Sequence, residues 1–310
     1  MKMTNQLYDF ISMRYAFFSE VGIGISANTI LLLFHIFTFL LQHRLKPTNL
    51  ITCLLALIHL GMLIIMGYTV TNIYVAQDFG DYIKCKSIIY LHRFLRGFSI
   101  CATSLLSVLQ AITLSPRSSC LAKFKCKSPH QSMCSFVFLC VFYILLNAHF
   151  SFSSNVIPNV TLHGLVFIAE TCKILPMSYF HRHLSFILSI FWDVFLIGLM
   201  VLSSGYMINL LCRHKRNFQQ LQTTSLSPIS SPVQRATRTI LLLMSCFMFM
   251  YSLDCLLSSS RSMWNNDPVC HSIKVMVSNG YATTSPLLLI CAEKQILKLL
   301  KSFLGKITHV

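Results

Sequence analysis

Charge is scarce in this chain. Asp, Glu, Lys and Arg make up 11% of the 310 residues while 55% are hydrophobic; a soluble domain carries about a quarter charged residues. The excess apolar area has no aqueous fold to hide in and requires a bilayer. Acidic residues are scarcest, 9 against 25 Lys and Arg, for a formal net charge of +16. A nucleic-acid binder would gather its basic residues on a folded polar face, whereas these fall between long apolar runs, which argues against nucleic acid as a partner. Enzymatic motifs are missing as well: there is no His-Glu-x-x-His helix, no Gly-x-Ser-x-Gly elbow and no phosphate-binding glycine loop. Met1 to Arg14 lack the basic and short apolar regions of a secretory signal, so the first span is expected to act as its own signal. No cofactor is implied. Cys120, Cys126 and His130 are too few and too irregular for a metal site; Cys120, Cys126 and Cys212 read as free thiols or acylation sites.

Long apolar runs are what the chain has in abundance. A bilayer core of about 30 Å needs roughly 20 residues of helix, and runs of that kind lie at about 17–41, 48–73, 87–114, 133–153, 186–211, 237–259 and 269–291. Asn147 and His149 interrupt the fourth. The expectation is an all-α membrane protein, one seven-transmembrane helix bundle over 17–291, with 1–16 extracellular and 292–310 cytoplasmic. In the tail, Ile296, Leu300, Phe303 and Ile307 recur at helical spacing among Lys294, Lys298, Lys301 and Lys306, which suits a helix lying on the anionic inner leaflet. Most of the 13 cysteines, such as Cys53, Cys101, Cys140 and Cys246, fall inside apolar runs as small hydrophobes.

Orientation follows from the positive residues, which concentrate in cytoplasmic loops. With the amino terminus outside, the cytoplasmic face gathers Arg44, Lys46, Arg117, Lys123, Lys125, Lys127, Arg213, Lys215, Arg216, Arg235, Arg238 and the four tail lysines, offset by Glu293 alone. The other face is close to balanced. The single Asn-x-Ser/Thr sequon, Asn159-Val160-Thr161, falls in the second outer loop, where a glycan can be attached. The expected location is the plasma membrane, multi-pass, with the carboxyl terminus inside. In the third cytoplasmic loop, Ser225 to Pro232 is too rich in Ser and Pro to bury a core and reads as a linker.

Charges inside a membrane are costly and mark function or pairing. His92, Arg93 and Arg96 lie in the third span, the arginines one turn apart and about 9 and 14 Å deep; Asp193 in the fifth and Asp254 in the sixth lie at about 10 and 8 Å. These five residues are the ligand-binding candidates, the arginines expected to pair with the two aspartates around a polar outer cavity. A purely structural ion pair is the competing reading. Cys85, at the outer end of the third span, has Cys172 or Cys270 as possible disulfide partners. Pro286 in the seventh span removes a backbone donor, a candidate hinge, with Asn279, Thr283, Thr284 and Ser285 near enough to satisfy the freed carbonyl.

The third span read as a string is more specific: Tyr90-Leu91-His92-Arg93-Phe94-Leu95-Arg96-Gly97-Phe98-Ser99-Ile100, then Leu105 to Thr113, then Ser115-Pro116. With Gly198-Leu199-Met200, Ser204-Gly205-Tyr206-Met207, His214-Lys215-Arg216, Leu226-Ser227-Pro228, Ser231-Pro232, Arg235-Ala236-Thr237 and Ser285-Pro286, it closely resembles the vomeronasal type-1 receptors, seven-helix G-protein-coupled pheromone receptors. The resemblance covers nearly the whole chain. It implies a Cys85–Cys172 bridge, a glycan at Asn159, a small pheromone-like ligand reaching the cavity from outside, and a heterotrimeric G protein of the inhibitory class. The second and third cytoplasmic loops are the candidate contact, with Lys123, Lys125, Lys127, Arg213, Lys215 and Arg216 supplying charge; cytoplasmic topology alone is the competing account of most of these residues. The chain departs from the family at Ala27-Asn28, Val233-Gln234 and Tyr281 to Thr284, and it lacks the Asp-Arg-Tyr and Asn-Pro-x-x-Tyr triplets of rhodopsin-like receptors. Bitter-taste receptors share the architecture but not the third-span string; a small-solute secondary transporter would need an internal repeat that the sequence lacks.

Overall fold

The computed structural model describes residues 2–42, 47–75, 82–116, 119, 129–153, 155–158, 172–175, 179–221, 232–260 and 268–292. Among them are seven helices: α1 (Lys2–Gln42), α2 (Pro47–Val75), α3 (Tyr82–Leu114), α4 (Pro129–Ser153), α5 (Tyr179–Leu221), α6 (Pro232–Ser260) and α7 (Pro268–Ala292). Between α4 and α5, β1 (Asn155–Pro158) pairs antiparallel with β2 (Cys172–Leu175), Pro158 opposite Cys172. This hairpin is an addition to the all-α expectation. It marks one end of the bundle, called here the hairpin end, and β1 lies against α3.

Four helices contain stretches long and apolar enough to cross a membrane, at Ile11–Leu40, Pro47–Tyr68, Tyr90–Leu114 and Ile190–Arg213. The other three carry shorter apolar stretches, His130–Leu146, Leu241–Asp254 and Val275–Cys291. Asn147 and His149 do not end α4, which runs on to Ser153; backbone groups in hydrocarbon have no partner except one another, so helix persists through single polar residues. For the same reason Leu33, Phe138, Leu145, Phe191 and Leu202 stay exposed, because their solvent is lipid.

Helix ends and span ends do not coincide. α1 already begins at Lys2, ahead of the expected first span at residue 17, and α5 runs on to Leu221, ten residues past the expected end of the fifth. Arg213, Lys215 and Arg216 therefore stand on the last turns of a helix, not in a loop, correcting the loop placement. Their segment, Cys212 to Leu221, has no proline or glycine, and Arg, Lys and Gln are good helix formers in water as in lipid.

Helix α3 is the hub. It packs against α2, α4, α5 and α6, while α1, α2, α6 and α7 close the ring. Two-thirds of its apolar stretch is buried, against about a fifth for those of α1 and α5. On α1 the buried residues Phe17, Val21, Ala27, Asn28 and Leu31 fall on one stripe at the 3.6-residue period that aims a single face inward. Between helices already in lipid the hydrophobic effect contributes little, so close packing and hydrogen bonds hold the bundle. Gly97 shows the first: a Cβ there would sit inside the Tyr143 ring, so α4 closes on α3 only because that position has no side chain. The second appears along the α3–α5 seam, where Ser104 donates to the Leu196 carbonyl (3.3 Å), Ser107 meets Ser203 (2.9 Å) and Ser115 meets the Tyr206 hydroxyl (3.0 Å).

Candidate functional site

Two polar layers are stacked inside the bundle. The deeper one joins α1, α2, α3 and α7. His59 on α2, fully buried, uses both ring nitrogens: Nε2 meets Ser99 Oγ at 2.9 Å and Nδ1 meets Ser285 Oγ at 3.1 Å. Tyr281 stands edge-on to His59 and also to Phe247, and its hydroxyl lies 3.3 Å from Thr103 Oγ1.

Pro286 sits within α7. Having no N–H, it leaves the carbonyl four residues back, that of Ala282, without its helical donor. The nearby side chains expected to fill the gap are occupied: Asn279 donates to the Val275 carbonyl, Thr284 to that of Gly280 and Thr283 to that of Glu20, while Ser285 holds His59. The donor is Asn28 of α1, whose Nδ2 reaches the Ala282 carbonyl at 2.9 Å and its own Gly24 carbonyl at 2.8 Å. A bond across the bundle replaces the missing rung.

The second layer is a narrow, partly open cleft in the half of the bundle nearer the hairpin. Met62 of α2 and Ser99 and Ile100 of α3 line one side; Phe247, Met250 and Tyr251 of α6 with Val277, Ser278, Tyr281 and Ala282 of α7 line the other. Arg96 of α3 and Asp254 of α6 cross it as an ion pair, Nη2 to Oδ2, at 2.5 Å. Arg96 Nη1 donates to Ser278 Oγ at 3.0 Å, and the guanidinium lies 5.9 Å from the Tyr251 ring centre. Arg96 therefore ties α3 to α6 and α7 at once. A turn nearer the hairpin, the His92 ring meets Asn279 Oδ1 at 3.0 Å.

Asp193 on α5 has its Oδ1 buried with no hydrogen-bond partner among the described residues. Of the five sequence candidates, Arg96 and Asp254 line the cleft, and His92, Arg93 and Asp193 are not among its lining residues. Cys85 stands in the first turn of α3 and Cys172 begins β2, while their side chains lie outside the described residues. Asn159, Lys123, Lys125, Lys127 and the tail from 293 also lie outside them. Ser278, Tyr251 and Tyr281 have no sequence signal of their own, since hydroxyls are common in membrane helices. His59 had one, as a lone imidazole inside an apolar run, and so did Asn28.

Seven helices with the third as the hub and a cleft toward one end form the architecture of seven-transmembrane receptors. The crystal structure of squid rhodopsin superposes with a TM-score of 0.73 over 95% of this chain and 80% of that one, at 13% identity, which speaks to the fold alone. The family is set by sequence. Residues 11–302 match the model of the vomeronasal organ pheromone receptor family, and the chain belongs to that family. It is similar to vomeronasal type-1 receptor 90 of Rattus norvegicus, 58% identical over 306 residues and 99% of each chain. It is also similar to vomeronasal type-1 receptor A11 of Mus musculus, 47% identical over 301 residues, 97% of this chain and 95% of that one. The protein is accordingly a multi-pass membrane receptor of the G-protein-coupled class, and not an enzyme.

Proposed function

We propose that this receptor detects a small pheromone-like molecule that enters from outside the cell at the hairpin end, occupies the cleft around Arg96 and Asp254, and activates an inhibitory-class G protein at the opposite end. The observation that carries the reading is the Arg96–Asp254–Ser278 junction, because three helices meet there on one guanidinium. A ligand that settles among these groups acts directly on the spacing of α3, α6 and α7. A ligand shifts a two-state bundle only by its difference in affinity for the two states, and this junction supplies a place where the states differ. His92, Arg93 and Asp193 shape the approach.

In this reading the amino terminus is extracellular, Asn159 carries a glycan, and Cys85 and Cys172 form a bridge that pins the hairpin to α3. The packing of β1 against α3, with Cys172 paired to Pro158 on β1, supports that bridge. Arg213, Lys215 and Arg216, on the helical end of α5, meet the G protein together with Lys123, Lys125 and Lys127, and Pro286 is the hinge of α7. Expressing the chain in cells with a chosen inhibitory-class G protein and applying candidate ligands tests the reading. Ligand-dependent G-protein activation is expected; sustained uptake of labelled solute without any G-protein response would discard it.

A further inference from the structure

We infer that the cleft selects an uncharged, largely apolar molecule bearing one hydroxyl, and that the hydroxyl donates to the Asp254 carboxylate; this rests on the receptor reading above. The first ground is charge. Arg96 and Asp254 are the ionised side chains among the described residues lining the cleft, and they cancel. Arg96 is engaged by Asp254, by Ser278 and by the face of Tyr251. A sulfate or carboxylate brought to it would have to displace Asp254 or sit beside it, leaving a net negative charge in a low-dielectric site. An ammonium group would meet the converse penalty from Arg96.

The second ground is an unfilled acceptor. Asp254 is buried, one carboxylate oxygen takes the Arg96 bond, and the other, Oδ1, is closed to solvent with no donor among the described residues, so that a hydroxyl reaches it only as the walls of the cleft part around the ligand. A carboxylate has room for about four donors, and a buried acceptor left without one is costly. A neutral hydroxyl supplies the donor without adding charge. A ketone cannot, having only an acceptor to offer. Much of the rest of the wall is apolar, with Met62, Ile100, Phe247, Met250, Val277 and Ala282 beside four hydroxyl-bearing residues, and its methionines adapt to irregular shapes.

The test uses the purified full-length receptor in lipid nanodiscs and two matched sets of probes: menthol, menthone and menthyl sulfate, and one steroid skeleton carrying a 3-hydroxyl, a 3-ketone or a 3-sulfate. Affinity is read by thermal stabilisation, and G-protein nucleotide exchange is read separately. In at least one set the alcohol is expected to bind about tenfold or more tighter than its ketone and its sulfate, the penalty for an unmatched buried acceptor. A sulfate or ketone that binds as well as the alcohol in both sets, or no stabilisation by any probe, overturns the inference. Asp254→Asn gives a second arm, because its amide can donate to a ketone: the alcohol's advantage over the ketone should vanish, and an unchanged advantage overturns the inference. If that variant does not fold, the native series decides. Alcohol binding without nucleotide exchange would sustain the inference and sink the signalling role, whereas exchange driven by the sulfates alone would do the reverse.

Discussion

Replacing Asn28 by Ala isolates the bond that repairs the proline gap. The substitution removes two donations, but they differ in weight. The Gly24 carbonyl keeps the helical N–H of residue 28, so losing the side-chain bond there costs little. The Ala282 carbonyl lacks its usual helical donor, because the residue four positions on is Pro286. Orphaning a buried carbonyl costs about 1–3 kcal/mol, and inter-helix hydrogen bonds in membranes average roughly 0.6 kcal/mol with a maximum near 1.7; about 1–2 kcal/mol is the expected loss. For a chain of this size that lowers the melting temperature by roughly 1.5–3 °C. Thermal unfolding of purified receptor in a mild detergent measures it.

The decisive comparison is the same change made in a Pro286→Ala background. Alanine restores an N–H to the Ala282 carbonyl, so Asn28→Ala should then cost a few tenths of a kcal/mol, and the double-mutant cycle should give a coupling of about 1 kcal/mol. An equal cost in both backgrounds would refute the reasoning, showing that Asn28 stabilises the bundle by something other than replacing the missing rung.

Three further outcomes follow from the same geometry. Arg96→Asp or Asp254→Arg alone should abolish surface expression, since breaking a buried pair costs about 3–5 kcal/mol, and the double exchange should recover part of it; no recovery would mean that the pair is not what these residues contribute. Gly97→Val should cost about 1–3 kcal/mol by overpacking through its collision with Tyr143, measured by surface expression, and a smaller side chain at 143 should relieve it where Tyr143→Phe should not. Tyr206→Phe removes the hydroxyl that joins α5 to Ser115; at about 0.6 kcal/mol, ligand-free nucleotide exchange should rise two- to threefold, roughly, while unchanged exchange would show that the contact does not hold the resting state.

The spans were legible because lipid imposes a single requirement, some 20 residues without much charge, that composition meets or fails locally. The ends were not, since helix continues wherever propensity allows, as from Cys212 to Leu221 on α5, whether or not the residues are apolar. The hairpin escaped notice because four residues each of Asn-Val-Ile-Pro and Cys-Lys-Ile-Leu have no periodicity to read. At the site, Arg96 and Asp254 announced themselves as charges in a membrane, although depths of about 14 and 8 Å reckoned along their helices did not single them out as partners. Their company, Ser278 and Tyr251, did not. The proline rule identified which carbonyl is freed, yet the donor stands on another helix 254 residues away, and no local pattern encodes that. Sequence places charge along each helix; helix rotation and offset decide who meets whom.

The central claim is that one molecule bound in the cleft and one G protein bound at the far end favour the same arrangement of helices. Reciprocity then requires each to strengthen the other's binding by the same factor, typically about 5–150-fold. The affinity of the preferred probe for the receptor in nanodiscs, measured with and without nucleotide-free inhibitory-class G protein, tests this directly. The account predicts a severalfold or greater gain in affinity that guanine nucleotide reverses; an affinity indifferent to the G protein would contradict it.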